Sequence, residues 1–278
     1  MKSKLSVGCI QLNSKSSIIK NLENTISFSN LAVNKGAEFL FTPEVSNIIS
    51  LNQTELLDNV YEEKNDPFLK TFKEFCFQKS VWVLLGSLVI RDKKNKLYNR
   101  SYLINNKGKI VSKYDKIHMF DANISKVEKY SESKVFKSGT DIKVSPTPWG
   151  KLGLSICYDI RFPELYRQLN LLGAKMISIP AAFTIPTGKV HWKVLLQSRA
   201  IENGCFIFAP AQCGVNTSKR KTYGHTMIIS PWGKVIGEMK KKPGILVKKI
   251  DLSEVAKTRE KIASDKSVLL KKKLNTNI

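Results

Sequence analysis

Strand and helix signals alternate along the whole chain, and this alternation predicts an α/β domain with helices covering sheets. Three observations support it. Short apolar runs of strand length recur, with helical-period segments between them. No linker or low-complexity stretch interrupts the 278 residues. A composition of 42% hydrophobic and 25% charged residues can fill a sizeable core and still leave a hydrated surface.

Residues 5–11 read as a strand. Ile18, Leu22, Ile26 and Val33 then fall near helical spacing, and Gly36 stops that helix. A short buried strand at 38–41 ends on Thr42-Pro43-Glu44. Asp66 and Pro67 offer an N-cap and an N1 proline to a helix whose Phe68, Phe72, Phe75 and Cys76 share one face. Strands at 81–88 and 97–104 flank a polar turn at 92–96, and a second turn at 105–108 leads to a strand at 109–114. Leu152, Leu154 and Ile156 alternate along a strand that stops at Cys157.

A helix at 163–172 follows, with Leu165, Leu169 and Leu172 inward and Gly173 as its stop. Strands at 175–179 and 206–209 bracket a helix at 192–203, which Gly204 closes. Residues 226–230 and 235–239 form a hairpin, and 245–250 is the last strand. Asp251 and Glu254 then start a final helix as a capping box. Pro-Trp-Gly-Lys occurs at 148–151 and again at 231–234, which hints at two related halves. The domain is expected to span residues 1–255, with a basic extension over 256–278 that frays near Lys271, Lys272 and Lys273.

Composition also excludes function classes. Five cysteines without a CxxC pair, and three histidines, argue against a zinc site or a disulfide framework. The formal charge of +23 comes mostly from lysines spread along the chain, and no nucleic-acid motif accompanies it. It reads as a solvated surface with no specific nucleic-acid partner. No apolar run of membrane-spanning length exists. The apolar stretch at 5–12 is short and lacks a cleavage site, so the expected compartment is the cytoplasm.

Three strand ends carry reactive side chains. At Cys157 an apolar strand runs into a thiol and then into a turn bearing Pro163 and Glu164, a geometry that lifts a side chain off a sheet edge. A nearby helix N-terminus would favour the thiolate, although by itself the residue reads equally well as a buried core thiol. Glu44, directly after a buried strand, would be desolvated, with its pKa rising towards neutrality. Its bland alternative is a cap or a surface turn. Lys116, after a third strand, draws interest only from its company.

Together the three segments resemble the Glu–Lys–Cys triad of the nitrilase superfamily of carbon–nitrogen hydrolases. The string CYDIRFPEL at 157–165 is similar to the amidase branch that contains ω-amidases and deaminated-glutathione amidases. Further matches include Ser131-Glu132-Ser133, Pro180-Ala181-Ala182-Phe183, Arg199-Ala200-Ile201-Glu202-Asn203 and Tyr223-Gly224-His225. The resemblance implies a four-layer α-β-β-α sandwich, usually paired as a homodimer, with neither metal nor organic cofactor. It implies Cys157 as nucleophile, Glu44 as general base, and Lys116 with the Tyr158 backbone N–H as oxyanion partners. Glu132 becomes a second glutamate orienting the triad.

The implied reaction cleaves a terminal carboxamide of a small carboxylate-bearing substrate to acid plus ammonia through a thioester. Arg161, on the nucleophile's turn, would clamp that carboxylate beside Phe183, unless it pairs internally with Asp159 or Glu164. The same triad also serves N-carbamoyl amide and nitrile hydrolases. A non-catalytic basic binding protein is the alternative from outside enzymology. The C-terminal segment lacks the proline and the Asp-Leu-Tyr ending usual in such chains, which bears on the dimer.

Overall fold

The computed structural model describes residues 2–124 and 129–262. The strands of its main sheets are β1 (Lys4–Gln11), β2 (Phe39–Phe41), β3 (Trp82–Arg91), β4 (Leu97–Ile104), β5 (Ile110–Asp115), β6 (Val144–Thr147), β7 (Gly150–Leu154), β8 (Met176–Ser178), β9 (Phe206–Ala209), β10 (Met227–Ile229), β11 (Val235–Glu238) and β12 (Gly244–Asp251). They form two six-stranded sheets, ordered β12-β1-β2-β3-β4-β5 and β11-β10-β9-β8-β7-β6. The helices are α1 (Ile18–Asn34), α2 (Gln53–Asn59), α3 (Pro67–Lys79), α4 (Pro163–Leu171), α5 (Lys193–Asn203) and α6 (Ser253–Lys261).

Strand alternation assigns side chains to layers. In β2, Phe39 and Phe41 point into the core between the sheets, while Leu40 joins the core beneath α1 and α3. Across the inter-sheet core the Phe41 and Phe208 rings meet at 4.8 Å. Leu165 and Leu169 of α4 and Leu196 of α5 cover the outer face of the second sheet. The result is the four-layer α-β-β-α sandwich, and its two sheets repeat one pattern. From β12 to β5 the pairings run antiparallel, parallel, parallel, antiparallel, antiparallel, and from β6 to β11 they run the same way.

The Pro-Trp-Gly-Lys echo does not mark that repeat. It sits at the β6–β7 turn and at the β10–β11 turn, both within one sheet. The counterpart of the β10–β11 turn in the first sheet is the β4–β5 turn at 105–108, which lacks the phrase. What the two echoes share is a tight turn whose glycine has positive φ, +132° at Gly150 and +83° at Gly233.

Three local expectations are corrected. Asp251 and Glu254 form no capping box: α6 starts without a side-chain cap, and Asp251 only accepts the Ser253 N–H at 2.9 Å. Leu172 is exposed, because α4 ends at Leu171 and the chain turns away at Gly173. In α1 the fully buried row is Ile18, Asn21, Thr25, Ser29 and Ala32, with Leu22, Ile26 and Val33 only flanking it. Small side chains let α1 lie close to the sheet, and the Thr25 and Ser29 hydroxyls return hydrogen bonds to carbonyls one turn back. Of the basic extension, α6 covers residues up to Lys261, and residues 263–278, including Lys271, Lys272 and Lys273, lie outside the described residues.

Candidate active site

Glu44 leaves β2 through Thr42 and Pro43. The Thr42 N–H donates to the Leu84 carbonyl at 3.0 Å, and its hydroxyl accepts the Gly86 N–H at 3.0 Å. Only glycine fits at 86, since a Cβ there would stand 1.9 Å from the Thr42 carbonyl oxygen. Val45 takes a left-handed φ of +46°, unusual for a β-branched residue, and the Glu44 carbonyl accepts from Gln212 Nε2 at 3.0 Å. The backbone on both sides of the carboxylate is therefore fixed.

Each carboxylate oxygen of Glu44 is occupied. Oε1 accepts from Lys116 Nζ and from Asn99 Nδ2, both at 2.9 Å, and Oε2 accepts the Ala182 N–H at 2.9 Å. Lys116, just past β5, is held by its own N–H donating to the Asn99 carbonyl at 3.0 Å. Its ammonium also spans Glu132, at 2.9 and 2.7 Å to the two oxygens. Glu132 in turn accepts the Phe120 N–H at 2.6 Å and a longer bond from Asn99 at 3.3 Å.

Cys157 follows β7 with φ +49°, a left-handed backbone that a cysteine adopts only when its surroundings enforce it. The enforcement is visible. The Cys157 N–H donates to the Pro180 carbonyl at 2.9 Å, and buried Asp159 accepts the Ile156 N–H at 2.8 Å, the Tyr114 hydroxyl at 2.7 Å and the His118 N–H at 3.0 Å. The thiol hydrogen-bonds Glu44. The strand-to-turn elbow expected at Cys157 is present, and it brings residues 44, 116, 132 and 157 together.

Two electrostatic expectations are overturned. Burial pushes the Cys157 thiol well above its ordinary pKa, and the Glu44 charge adds to this, outweighing Lys116. The following 3-10 turn is short and α4 begins only at Pro163, so no long helix dipole opposes the burial. The resting group is a thiol, not a thiolate. For Glu44, desolvation pulls the pKa up, but the Lys116 charge and the hydrogen bonds to Cys157 and Lys116 overcome it. Its pKa ends below the ordinary carboxylate value instead of near neutrality. Lys116 is held charged far above neutrality, its burial outweighed by Glu132 and Glu44.

These groups line the floor of a cavity of about 400 Å³. Tyr158 lines it too, and its N–H has no acceptor among the described residues. Arg161 stands 5.7 Å from each of the Tyr158 and Phe183 rings, and its Nη2 lies 3.2 Å from His191 Nδ1. It does not pair with Asp159 or Glu164. Among the described residues no group of His, Cys, Asp or Glu converges as metal ligands.

Sequence reasoning missed Asn99, the Ala182 N–H and Arg220. Asn99 left a signal, as a polar residue on the buried row that alternates from Leu97 along β4. The Ala182 amide and Arg220 left none. Arg220 sits in a basic turn between two short strands, Cys213–Val215 and Lys221–Tyr223, and reaches the cavity only through folding.

A model of the carbon–nitrogen hydrolase family matches residues 6–260. A deaminated glutathione amidase of Dictyostelium discoideum is 39% identical over 277 residues, 97% of this chain and 94% of that protein. One from Synechocystis is 39% identical over 92% of this chain and 94% of its own length. The crystal structure of Caenorhabditis elegans NitFhit superposes with a TM-score of 0.89 at 35% identity, covering 94% of this chain and 64% of that longer one. Saccharomyces cerevisiae Nit3, described as a member of branch 10 of the nitrilase superfamily, gives 0.84 at 26% identity over 94% of this chain and 95% of that one.

Proposed function

This chain belongs to the carbon–nitrogen hydrolase family and is an amidase acting on non-peptide carbon–nitrogen bonds, and we propose that it cleaves a small carboxylate-bearing amide of the deaminated-glutathione or ω-amide type through a thioester on Cys157. The observation that carries this reading is the meeting of Glu44, Lys116 and Cys157 on the floor of a cavity that also holds Arg161. Arg161 stacks beside Phe183 without a carboxylate of its own, so its guanidinium is open to a substrate carboxylate.

The chemistry follows from the protonation states. As Sγ attacks the carbonyl carbon, its proton passes to Glu44. The developing oxyanion draws on the charge of Lys116 and on the Tyr158 N–H. Lys116 then holds Glu44 less tightly, so the carboxylate becomes basic at the moment a base is needed. Collapse breaks the C–N bond, and Glu44 returns its proton to the leaving nitrogen. A water deprotonated by Glu44 attacks the thioester, releasing the acid and restoring the thiol. Glu132 touches neither sulfur nor base and acts by fixing Lys116. The amine lost from a primary carboxamide is ammonia, whereas deaminated glutathione would lose its cysteinylglycine half.

The test is a panel of α-ketoglutaramate, deaminated glutathione, a carbamoyl amino acid and a nitrile, with amine, ammonia and CO2 detection and intact mass for the acyl-enzyme. Turnover confined to carboxylate-bearing amides is expected. Turnover only of the carbamoyl compound or the nitrile would overturn the substrate class.

The reading extends to a cytoplasmic homodimer. Among the described residues no helix is long and apolar enough to cross a membrane, and the five cysteines are free and buried, which suits a reducing compartment. Val190, Val194, Ile201 and Trp232 are exposed close together, with the Trp232–Gly233 turn lying against Ile201. An apolar stripe of that kind suits a subunit interface. Light scattering at the mass of a monomer would remove the dimer from the proposal.

A further inference from the structure

Arg161 has a counterpart across the pocket. A collar of contacts runs from Arg161 to the Tyr158 ring at 5.7 Å, on to Phe120 at 5.1 Å, on to Tyr130 at 5.1 Å, and ends with the Arg220 guanidinium over Tyr130 at 5.5 Å. The other side closes through two neighbouring residues. Arg220 Nη2 donates to the Ala182 carbonyl at 3.2 Å, and Phe183 returns to Arg161. The two guanidinium groups therefore occupy opposite arcs of one ring around the cavity.

Arg220 is held in place and under-used. Its N–H donates to Thr217 Oγ1 at 3.0 Å, and its carbonyl accepts the Asn216 N–H at 3.0 Å, which locks the turn. Its Nε is sealed from water with no acceptor among the described residues. Unpaired cations are common in a chain with 46 basic and 23 acidic residues, so the lack of a partner alone means little. Its place in the wall of this cavity is what counts.

Glu44 fixes which half of the substrate Arg220 would meet. Ala182, whose carbonyl accepts from Arg220, donates its own N–H to Glu44. Glu44 must reach the departing nitrogen, so the amine half of the substrate lies on that side. We infer that Arg220 is a second carboxylate anchor, selecting amides whose leaving amine carries a carboxylate, while Arg161 holds the acyl half. This rests on the amidase reading above and goes beyond it by naming the leaving group.

The test uses two substrates with the same scissile bond: deaminated glutathione, and its analogue with the C-terminal glycine carboxylate converted to a carboxamide. The full-length enzyme should prefer the free carboxylate by about 10- to 100-fold in kcat/KM, mostly through KM, as expected for one charge-assisted pair. Arg220→Gln should bring that ratio close to one. Arg220→Lys, which keeps the charge, should retain part of it and serves if the glutamine variant fails to fold. Arg161→Gln should weaken both substrates and keep the ratio. A wild-type ratio near one, or a ratio that survives in Arg220→Gln while kcat falls equally for both, would overturn the inference and leave Arg220 as a support for Ala182. If the wild type hydrolyses α-ketoglutaramate but neither of these amides, the inference falls while the amidase reading stands; if it hydrolyses none of the three, it is the amidase reading that fails.

Discussion

Glu44, Lys116 and Glu132 on the pocket floor stand at strand ends and a tight turn and share charge-assisted hydrogen bonds of 2.7 to 2.9 Å, whereas Arg161 and Arg220 on the rim ride on a 3-10 turn and a hairpin tip and lie 5.5 to 5.7 Å from aromatic rings. Glu44 and Lys116 have almost no exposed surface, Glu132 keeps 14% of its side chain exposed, and every Glu44 and Glu132 oxygen has a donor. The rim leaves guanidinium donors open. A buried ion network has one good geometry and tolerates no loss, so it suits an invariant bond-making step. A half-open rim on short loops can change residue by residue without disturbing that step, so it suits the choice of substrate.

The division breaks most directly at Cys157. Cys157→Ala should cut amide turnover by about 10⁵-fold or more with the melting transition retained, measured by amine release and circular dichroism. Measurable turnover in that variant would move the chemistry off the floor. Lys116→Met comes next. It leaves two buried carboxylates facing each other, so stability at neutral pH should fall by about 3–5 kcal/mol in urea titrations, along with kcat. A loss within experimental error would mean that the floor is hydrated and the contrast with the rim is false.

Arg161→Lys should act on the rim alone, raising KM for carboxylate-bearing amides about 10- to 100-fold with a smaller change in kcat. An equal kcat loss on amides without a carboxylate would give Arg161 a part in the floor.

The smallest effect is the pH dependence. The folded pKa of Glu44 is depressed, so its stabilisation is complete above its unfolded value of about 4.3 and is lost as pH falls through the folded value. Lys116 is raised, so its share is complete below about 10.4 and is lost only at still higher pH. The stability difference between wild type and Glu44→Gln should therefore hold from about pH 5 to pH 10 and shrink in acid. The raised thiol adds a kinetic mark: alkylation of Cys157 should show no thiolate inflection near pH 8.5. An inflection well below that pH would restore the thiolate reading.

Much of the floor was legible because each of its groups follows a local signal. Glu44 and Cys157 follow apolar strands and Lys116 follows the half-exposed β5, and strand ends are where a sheet presents side chains to a cleft. Asn99 was readable in principle and was passed over. Of the fold, helices covering sheets followed from alternation and the four layers from the resemblance, while the burial of Asn21, Thr25 and Ser29 in α1 followed from neither. Hydrophobic periodicity counts apolar residues and is blind to small polar ones that bond their own helix.

The sequence by itself determined the reaction class through resemblance: Glu44, Lys116 and Cys157 stand in the order of the Glu–Lys–Cys triad, and the string at 157–165 is similar to the amidase branch of the carbon–nitrogen hydrolases. Only the tertiary structure decided their protonation and the second arginine. A pKa sums desolvation and charges through space, and the charges that matter to Glu44 are 72 and 176 residues away along the chain, on Lys116 and Arg220. Spacing along the chain carries no record of such distances. The fold creates them, by strand pairing within one sheet for Lys116 and by a hairpin reaching over the cavity for Arg220.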